Sequence, residues 1–136
     1  MAKEFWLNLP VKNLQRSKEF FEAIGFRFGV GPGNTPTMAP LLMGQHNIVV
    51  LLCEEPTFQG FVSGAVSDAK KSCEVLLSID ASGKEEVDEM VEKVIRAGGS
   101  SNHKPYEIKG PMYGCVFSDL DGHKWNVLFI DRKRVV

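Results

Sequence analysis

The side chains best suited to metal binding or nucleophilic chemistry are few in this chain of 136 residues. They are Cys53, Cys73, Cys115, His46, His103 and His123. The cysteines are odd in number and show no C-x-x-C spacing, which favours reduced thiols over a disulfide or a zinc site. His46 and His123 each come just before a predicted strand, so hydrogen bonding within turns is the favoured interpretation for both.

Two further patterns could bind ions, but their spacing favours turns and loops. Asp119-Leu-Asp-Gly122 has turn chemistry, because aspartate bonds its own backbone and glycine tolerates positive φ. No EF-hand spacing surrounds these aspartates, so a cation loop is disfavoured. Gly29-Val-Gly-Pro-Gly33 lacks the G-x-G-x-x-G spacing and a following helix, which argues against a phosphate loop.

One carboxylate is notable because a predicted strand, Cys73–Asp80, places it opposite an apolar stripe. The face that a helix would cover carries Val75, Leu77 and Ile79, and the other face carries Glu74, Leu76 and Ser78. A carboxylate that is partly removed from water has a raised pKa and can act as a general base. Glu74 is therefore the candidate catalytic residue.

The first predicted strand, Glu4–Leu9, repeats this arrangement. Its apolar face carries Phe5, Leu7 and Leu9, and its other face carries Trp6 and Asn8. An indole beside a few polar groups suits a small organic ligand. The alternative is that Trp6 only plugs the interior and leaves no useful cavity.

These strands belong to two similar units. His46–Glu54 matches His123–Asp131 at a constant offset of 77 residues, with histidine, apolar run and closing acid in register. In each unit a strand leads into a helix, and three further strands follow. The predicted N-cap of the first helix is Asn13, and that of the second is Ser82 or Gly83. We predict an α+β fold of two β-α-β-β-β units within one domain, 1–136. The repeats are 1–56 and 73–136, and the connector 57–72 is either a packed crossover or a mobile lid.

Composition excludes several classes of partner. The net charge of −1 gives no electrostatic reason for binding nucleic acid or an anionic membrane surface. No apolar run reaches the roughly 18 residues that a transmembrane helix needs. The first residues lack the apolar segment of a secretion signal, so a cytoplasmic location is expected.

Two motifs resemble those of a known superfamily. Residues 9–26, from Leu9-Pro-Val to Ile-Gly-Phe26, are similar to the opening D-L-x-x-S-x-x-F-Y-x-x-L-G-F of the vicinal oxygen chelate superfamily. Asp119-Leu-Asp-Gly-His-Lys-Trp-Asn126 resembles its closing D-P-D-G-x-x-x-E. That superfamily includes glyoxalases, bleomycin-resistance proteins and extradiol dioxygenases. The resemblance implies an incomplete barrel around a cleft, and it implies a homodimer.

The metal-ligand positions of that superfamily fall on unsuitable residues here. By resemblance, the ligand positions on the first strands of the two units fall on Trp6 and Glu74. The position on the last strand of the second unit falls on Asn126. Its counterpart in the first unit is Val49, or Val50 if the register slips by one. Tryptophan and valine offer no lone pair, and asparagine is a weak neutral ligand. A catalytic divalent site usually has about three protein ligands. We therefore predict no metal or other cofactor, although a divalent metal stays possible through Glu74.

The resulting prediction is a glyoxalase/bleomycin-resistance-like protein that binds a small organic ligand without the metal centre. The predicted ligand-binding residues are Trp6, Asn8, Glu74, Ser78, Tyr113 and Asn126. The alternative is a glyoxalase-like lyase or a dioxygenase-type enzyme that uses Glu74 with or without a divalent metal.

Overall fold

The computed structural model describes residues 1–134. The chain divides into two compact units, unit 1 from Met1 to Ser67 and unit 2 from Asp68 onward. The division falls inside the predicted connector. Within the described residues there are two four-stranded sheets, one in each unit, and three α-helices. None of these helices is long and apolar enough to span a bilayer.

Unit 1 follows the predicted β-α-β-β-β order. Its elements are β1 (Trp6–Val11), α1 (Leu14–Ala23), β2 (Arg27–Phe28), β3 (Met38–Met43), β4 (Ile48–Glu54) and α2 (Glu55–Val62). The sheet order is β1-β4-β3-β2, in which β1 is parallel to β4 and the other pairs are antiparallel. Helix α2 begins in the last residues of the first predicted repeat, 1–56, and continues into the predicted connector, 57–72.

Helix α1 forms as its sequence predicts. The Asn13 side chain accepts a hydrogen bond from the Arg16 amide at 3.0 Å, which satisfies one of the donors left open at a helix start. The apolar side of α1, including Phe20 and Phe21, is buried against the sheet. Burial of such rings is worth about 1.5–3 kcal/mol each, so α1 fixes which face of the sheet is interior.

Strand β1 extends further than predicted. The sequence predicts that the strand ends at Leu9, before Pro10, which lacks a backbone donor, but Pro10 and Val11 continue in register with Cys53 and Glu54. The prediction was wrong because β1 lies at the edge of the sheet, where proline is tolerated. The strand therefore begins at Trp6 rather than Glu4 and ends at Val11 rather than Leu9.

Unit 2 repeats the same architecture, which confirms the α+β prediction. Its elements are β5 (Leu76–Asp80), α3 (Lys84–Arg96), β6 (Tyr106–Glu107), β7 (Met112–Ser118), β8 (Lys124–Ile130) and a short 3-10 helix (Arg132–Arg134). The sheet order is β5-β8-β7-β6, with β5 parallel to β8. Trp125 and Val127 of β8 are almost fully buried, as expected for the face that α3 covers.

Strand β5 is shorter than the predicted strand Cys73–Asp80. The alternation in the sequence continues back to Cys73, but pairing begins only at Leu76. Leu76 pairs with Lys124, the first residue of β8, so earlier residues of this segment have no residue of β8 beside them. The length of the partner strand, rather than local sequence, sets where β5 begins.

The turn between β7 and β8 is held by a buried carboxylate. Asp119, 6% exposed, accepts hydrogen bonds from the amides of Asp121 and His123 and from the indole Nε1 of Trp125, each at 3.0 Å. Burial raises the pKa of Asp119, and attraction from His123 and the bond from Trp125 partly oppose this rise. Gly122 adopts a φ of +92°, which favours glycine. These contacts confirm a stabilised turn at 119–122.

Candidate ligand-binding site

The sheet of unit 1 has two chemically different faces. Leu9 and its partner Leu52 are buried on the face that packs against α1. Because side chains alternate along a strand, Trp6 and its partner Val49 lie on the opposite face. Trp6 is 53% exposed there, as the alternation along β1 predicts. Phe5, which was predicted on the covered face, instead precedes β1, is 76% exposed and lines the same cavity as Trp6. A large aromatic ring is thus left without full cover on an apolar sheet face.

A cavity of about 730 Å³ lies over this face of unit 1. Strands β1, β3 and β4 supply an aromatic and aliphatic floor made of Trp6, Pro40, Leu42, Val49 and Leu51. The volume falls in the range of about 300–1,000 Å³ that is typical of small-molecule sites. Trp6 therefore borders a cavity of unit 1.

The glycine-rich loop after β2 forms one wall of the cavity. Gly29 to Gly33 all line it, although their spacing gave no motif. A β-carbon at Gly33 would lie only 2.9 Å from Cδ1 of Leu51, which is closer than side-chain carbons normally approach. The backbone can cover the floor of the cavity at this point because residue 33 has no side chain.

The rim of the cavity carries polar groups that the sequence did not indicate as site residues. His46 and Asn47 belong to the turn between β3 and β4, and both line the cavity. Arg27 donates a hydrogen bond of 2.7 Å to Oδ1 of Asn47, which orients the amide. The turn position of His46 was predicted, but its place beside the cavity was not.

Asn8 lies on the same sheet face as Trp6 but not among the residues that line the cavity. Its Nδ2 is 4.0 Å from the sulfur of Cys53. Cys53 is a free, buried thiol whose pKa is raised by burial, as is that of Cys115. Both thiols are held protonated, whereas Cys73 is exposed.

In unit 2, the face opposite α3 brings together two of the predicted residues. Nδ2 of Asn126 donates to Oγ of Ser78 at 3.4 Å, because the register places the two side by side. Two residues earlier on β8, Lys124 donates to Oγ of Ser118. Lys124 was missed, although its even spacing from Asn126 along one strand was a readable signal.

The structure does not bring Glu74 and Tyr113 to Asn126. Glu74 is exposed and precedes β5, and the residue paired with Asn126 is Ser78, four positions further along. Tyr113 lies on the α3 side of β7, where its hydroxyl donates to Oδ1 of Asp88 at 2.7 Å. This bond is the main reason that the pKa of Tyr113 is raised to about 12. The direct reason is register: Tyr113 and Val116, the β7 partner of Asn126, point to opposite faces.

The residues at the superfamily's metal positions do not fit a metal. Trp6 and its partner Val49 have no ligand atom, Asn126 bonds Ser78, and Glu74 lies outside the strand. Across residues 1–134, no group of three or more His, Cys, Asp or Glu side chains could hold a metal ion. The absence of a metal from this protein stays a prediction.

Several solved structures share this architecture. A hypothetical protein from S. aureus is 35% identical, with a TM-score of 0.84 over 95% of each chain. A glyoxalase/bleomycin resistance protein/dioxygenase family enzyme from Burkholderia phytofirmans PsJN has a TM-score of 0.77 at 19% identity, covering 92% of this chain and 96% of its own. A glyoxalase-related enzyme from Fulvimarina pelagi has a TM-score of 0.79 at 20% identity, covering 94% of this chain and 88% of its own. No protein-family description and no curated protein matches the chain.

The chain therefore belongs to the same family as the S. aureus protein. Its fold is that of the glyoxalase/bleomycin resistance/dioxygenase proteins, which confirms the resemblance to the vicinal oxygen chelate superfamily at the level of fold.

Proposed function

We propose that this protein binds a small, flat organic ligand in the cavity of unit 1, without the metal centre of its superfamily. The observation that carries the proposal is the half-exposed Trp6 on the floor of a cavity of about 730 Å³. An aromatic ring stacked on the indole would cover apolar surface, and such ring pairs contribute about 0.5–1.5 kcal/mol beyond area burial.

Polar groups at the rim support an organic ligand over a purely apolar one. His46 and Asn47 can each donate and accept hydrogen bonds, and the bond from Arg27 holds Asn47 in place. An apolar floor with a few oriented polar groups is the usual composition of small-molecule sites. The alternative enzymatic function through Glu74 gains no specific support, because that residue is exposed and lies ahead of β5.

The two tryptophans make the proposal testable by fluorescence. Trp6 is exposed at the cavity, while Trp125 is buried in unit 2 and bonded to Asp119. We expect quinoline, a two-ring aromatic probe, to protect Trp6 from quenching by iodide and to leave the emission of Trp125 unchanged. A saturable change that is absent from Trp6→Phe would assign the signal to Trp6.

Calorimetry of matched variants measures the contribution of the indole. Trp6→Ala should weaken quinoline binding about tenfold, because the stacking surface is lost. Phe61→Ala is the control, since Phe61 is also an exposed aromatic residue but belongs to α2 and does not line the cavity. Equal affinity of the wild type and Trp6→Ala would overturn the proposed site.

A further inference from the structure

A second group of polar side chains lies in unit 2, on the sheet face opposite α3. It spans three adjacent strands, since the register sets Ser118 of β7 beside Lys124 of β8 and Ser78 of β5 beside Asn126 of β8. We propose that this Lys124 cluster (Ser78, Ser118, Lys124 and Asn126) binds the carboxylate of a small organic acid. The inference concerns unit 2 alone and goes beyond ligand binding at the cavity of unit 1.

The charge of Lys124 is the first reason. This half-buried ammonium donates to the neutral hydroxyl of Ser118, and among residues 1–134 no carboxylate forms an ion pair with it. Asp80 shares the sheet face but pairs with Leu128, four positions along β8, which is about 13 Å at the usual strand rise. A partly desolvated ammonium without a counter-charge is stabilised by an anion.

The surrounding donors are the second reason. Asn126 can donate from its amide, and Ser78 and Ser118 can donate from their hydroxyls. The bond between Asn126 and Ser78 is long, at 3.4 Å, so both groups can turn to a better acceptor. Among residues 1–134, these two side chains have no further hydrogen-bond partner.

The balance of one cation and three neutral donors selects the class of anion. A carboxylate carries a single charge over two oxygens, which one ammonium neutralises while the hydroxyls and amide complete the shell. A phosphate dianion would keep one charge uncompensated. Leu76, which pairs with Lys124, is 51% exposed and offers an apolar surface for the organic part of the acid.

The test uses benzoate as the probe and benzamide as its neutral counterpart, with backbone amide shifts measured by NMR on the full chain. Benzoate should shift the amides of Ser78, Lys124 and Asn126 saturably, and benzamide should bind about tenfold or more weakly, because charged hydrogen bonds are lost. Binding should weaken with added salt. Equal binding of both probes, tighter binding of inorganic phosphate, or no saturable shift at these amides would overturn the proposal.

Variants assign the effect to Lys124. Lys124→Met should lose about tenfold or more in benzoate affinity. Lys93→Met removes the same charge from the exposed surface of α3 and should stay within about twofold. Ser118→Ala removes the hydroxyl that Lys124 bonds and provides an independent variant should Lys124→Met fail to fold. The site would be refuted if a folded variant, either Lys124→Met or Ser118→Ala, bound benzoate with unchanged affinity.

Discussion

At the scale of single residues, the buried side chain of Asp119 holds together the motif Asp119–Asn126 that resembles the superfamily. Its three hydrogen bonds tie the turn 119–122 to Trp125. The motif therefore has a structural role here that does not depend on the metal chemistry of the superfamily. The substitution of asparagine for glutamate at position 126 removes a possible ligand but leaves this turn intact.

Replacing Asp119 with Asn should lower the free energy of unfolding by about 1–3 kcal/mol, because the amide NH₂ cannot accept every bond and a buried donor is left unpaired. Urea unfolding followed by the fluorescence of the two tryptophans measures the loss. Asp80→Asn is the control and should stay within about 0.5 kcal/mol, since Asp80 is exposed. Equal stability of wild type and Asp119→Asn would contradict the role of this carboxylate.

At the scale of secondary-structure elements, the start of α3 differs from the start of α1. Its N-cap is Gly83, which offers no side-chain bond. Glu86 instead reaches back to Ser82 and accepts hydrogen bonds from both its hydroxyl and its amide, the latter at 2.7 Å. The hydroxyl bond is the main reason that the pKa of Glu86 lies below its usual value. Ser82 and Gly83, the two alternatives from the sequence, thus share the capping role.

The lowered pKa predicts a pH-dependent contribution of Glu86 to stability. The contribution should be fully present above the ordinary value of 4.5 and should be lost as the pH falls through the lower pKa of the folded state, because protonation weakens both bonds. Glu86→Gln should cost about 0.5 kcal/mol at neutral pH, since the group is exposed, and nothing at low pH.

Glu85→Gln is the matched control for Glu86→Gln. Glu85 lies in the same first turn, but no hydrogen bond joins it to Ser82, so only its interaction with the helix dipole is lost. Thermal unfolding of both variants across the acid range separates the two effects. A cost for Glu86→Gln that is no larger than for Glu85→Gln, or that persists at low pH, would contradict the capping assignment.

The elements also show what the sequence could and could not predict. The period of two along β1 correctly separated Leu9 from Trp6, and the cap at Asn13 and the turn at Asp119 were readable because they depend on neighbouring residues. The start of β5 was not readable, since the length of β8 decides it. Because of that error, Glu74 was predicted on the sheet face of β5 opposite α3, although it precedes the strand. The alternation along β7 alone did not reveal which face of the sheet Tyr113 occupies.

At the scale of the whole molecule, the two units repeat one topology but differ in chemistry. Unit 1 has a cavity whose floor is apolar and includes Trp6, while the corresponding sheet face of unit 2 is polar around Lys124 and Asn126. The two units thus retain one backbone topology while the residues on the exposed sheet face differ, so one fold presents two chemically different surfaces.

We expect the protein to form a homodimer in solution. The family resemblance supports this, as does the preference of soluble proteins for twofold assemblies. Large apolar side chains such as Phe61, Ile95 and Tyr106 are exposed on the single chain and are available for such contacts. Light scattering at tens of micromolar should give twice the chain mass of 15.1 kDa. A monomeric mass under those conditions would contradict the expectation.

The most direct test of metal-free ligand binding is a quinoline titration of protein purified without chelator or affinity tag, with its metal content measured in the same sample. The account predicts that EDTA treatment leaves both the fluorescence change of Trp6 and the affinity unaltered, and that no transition metal approaches one equivalent. Near-stoichiometric metal, with binding abolished by EDTA and restored by that metal, would contradict it.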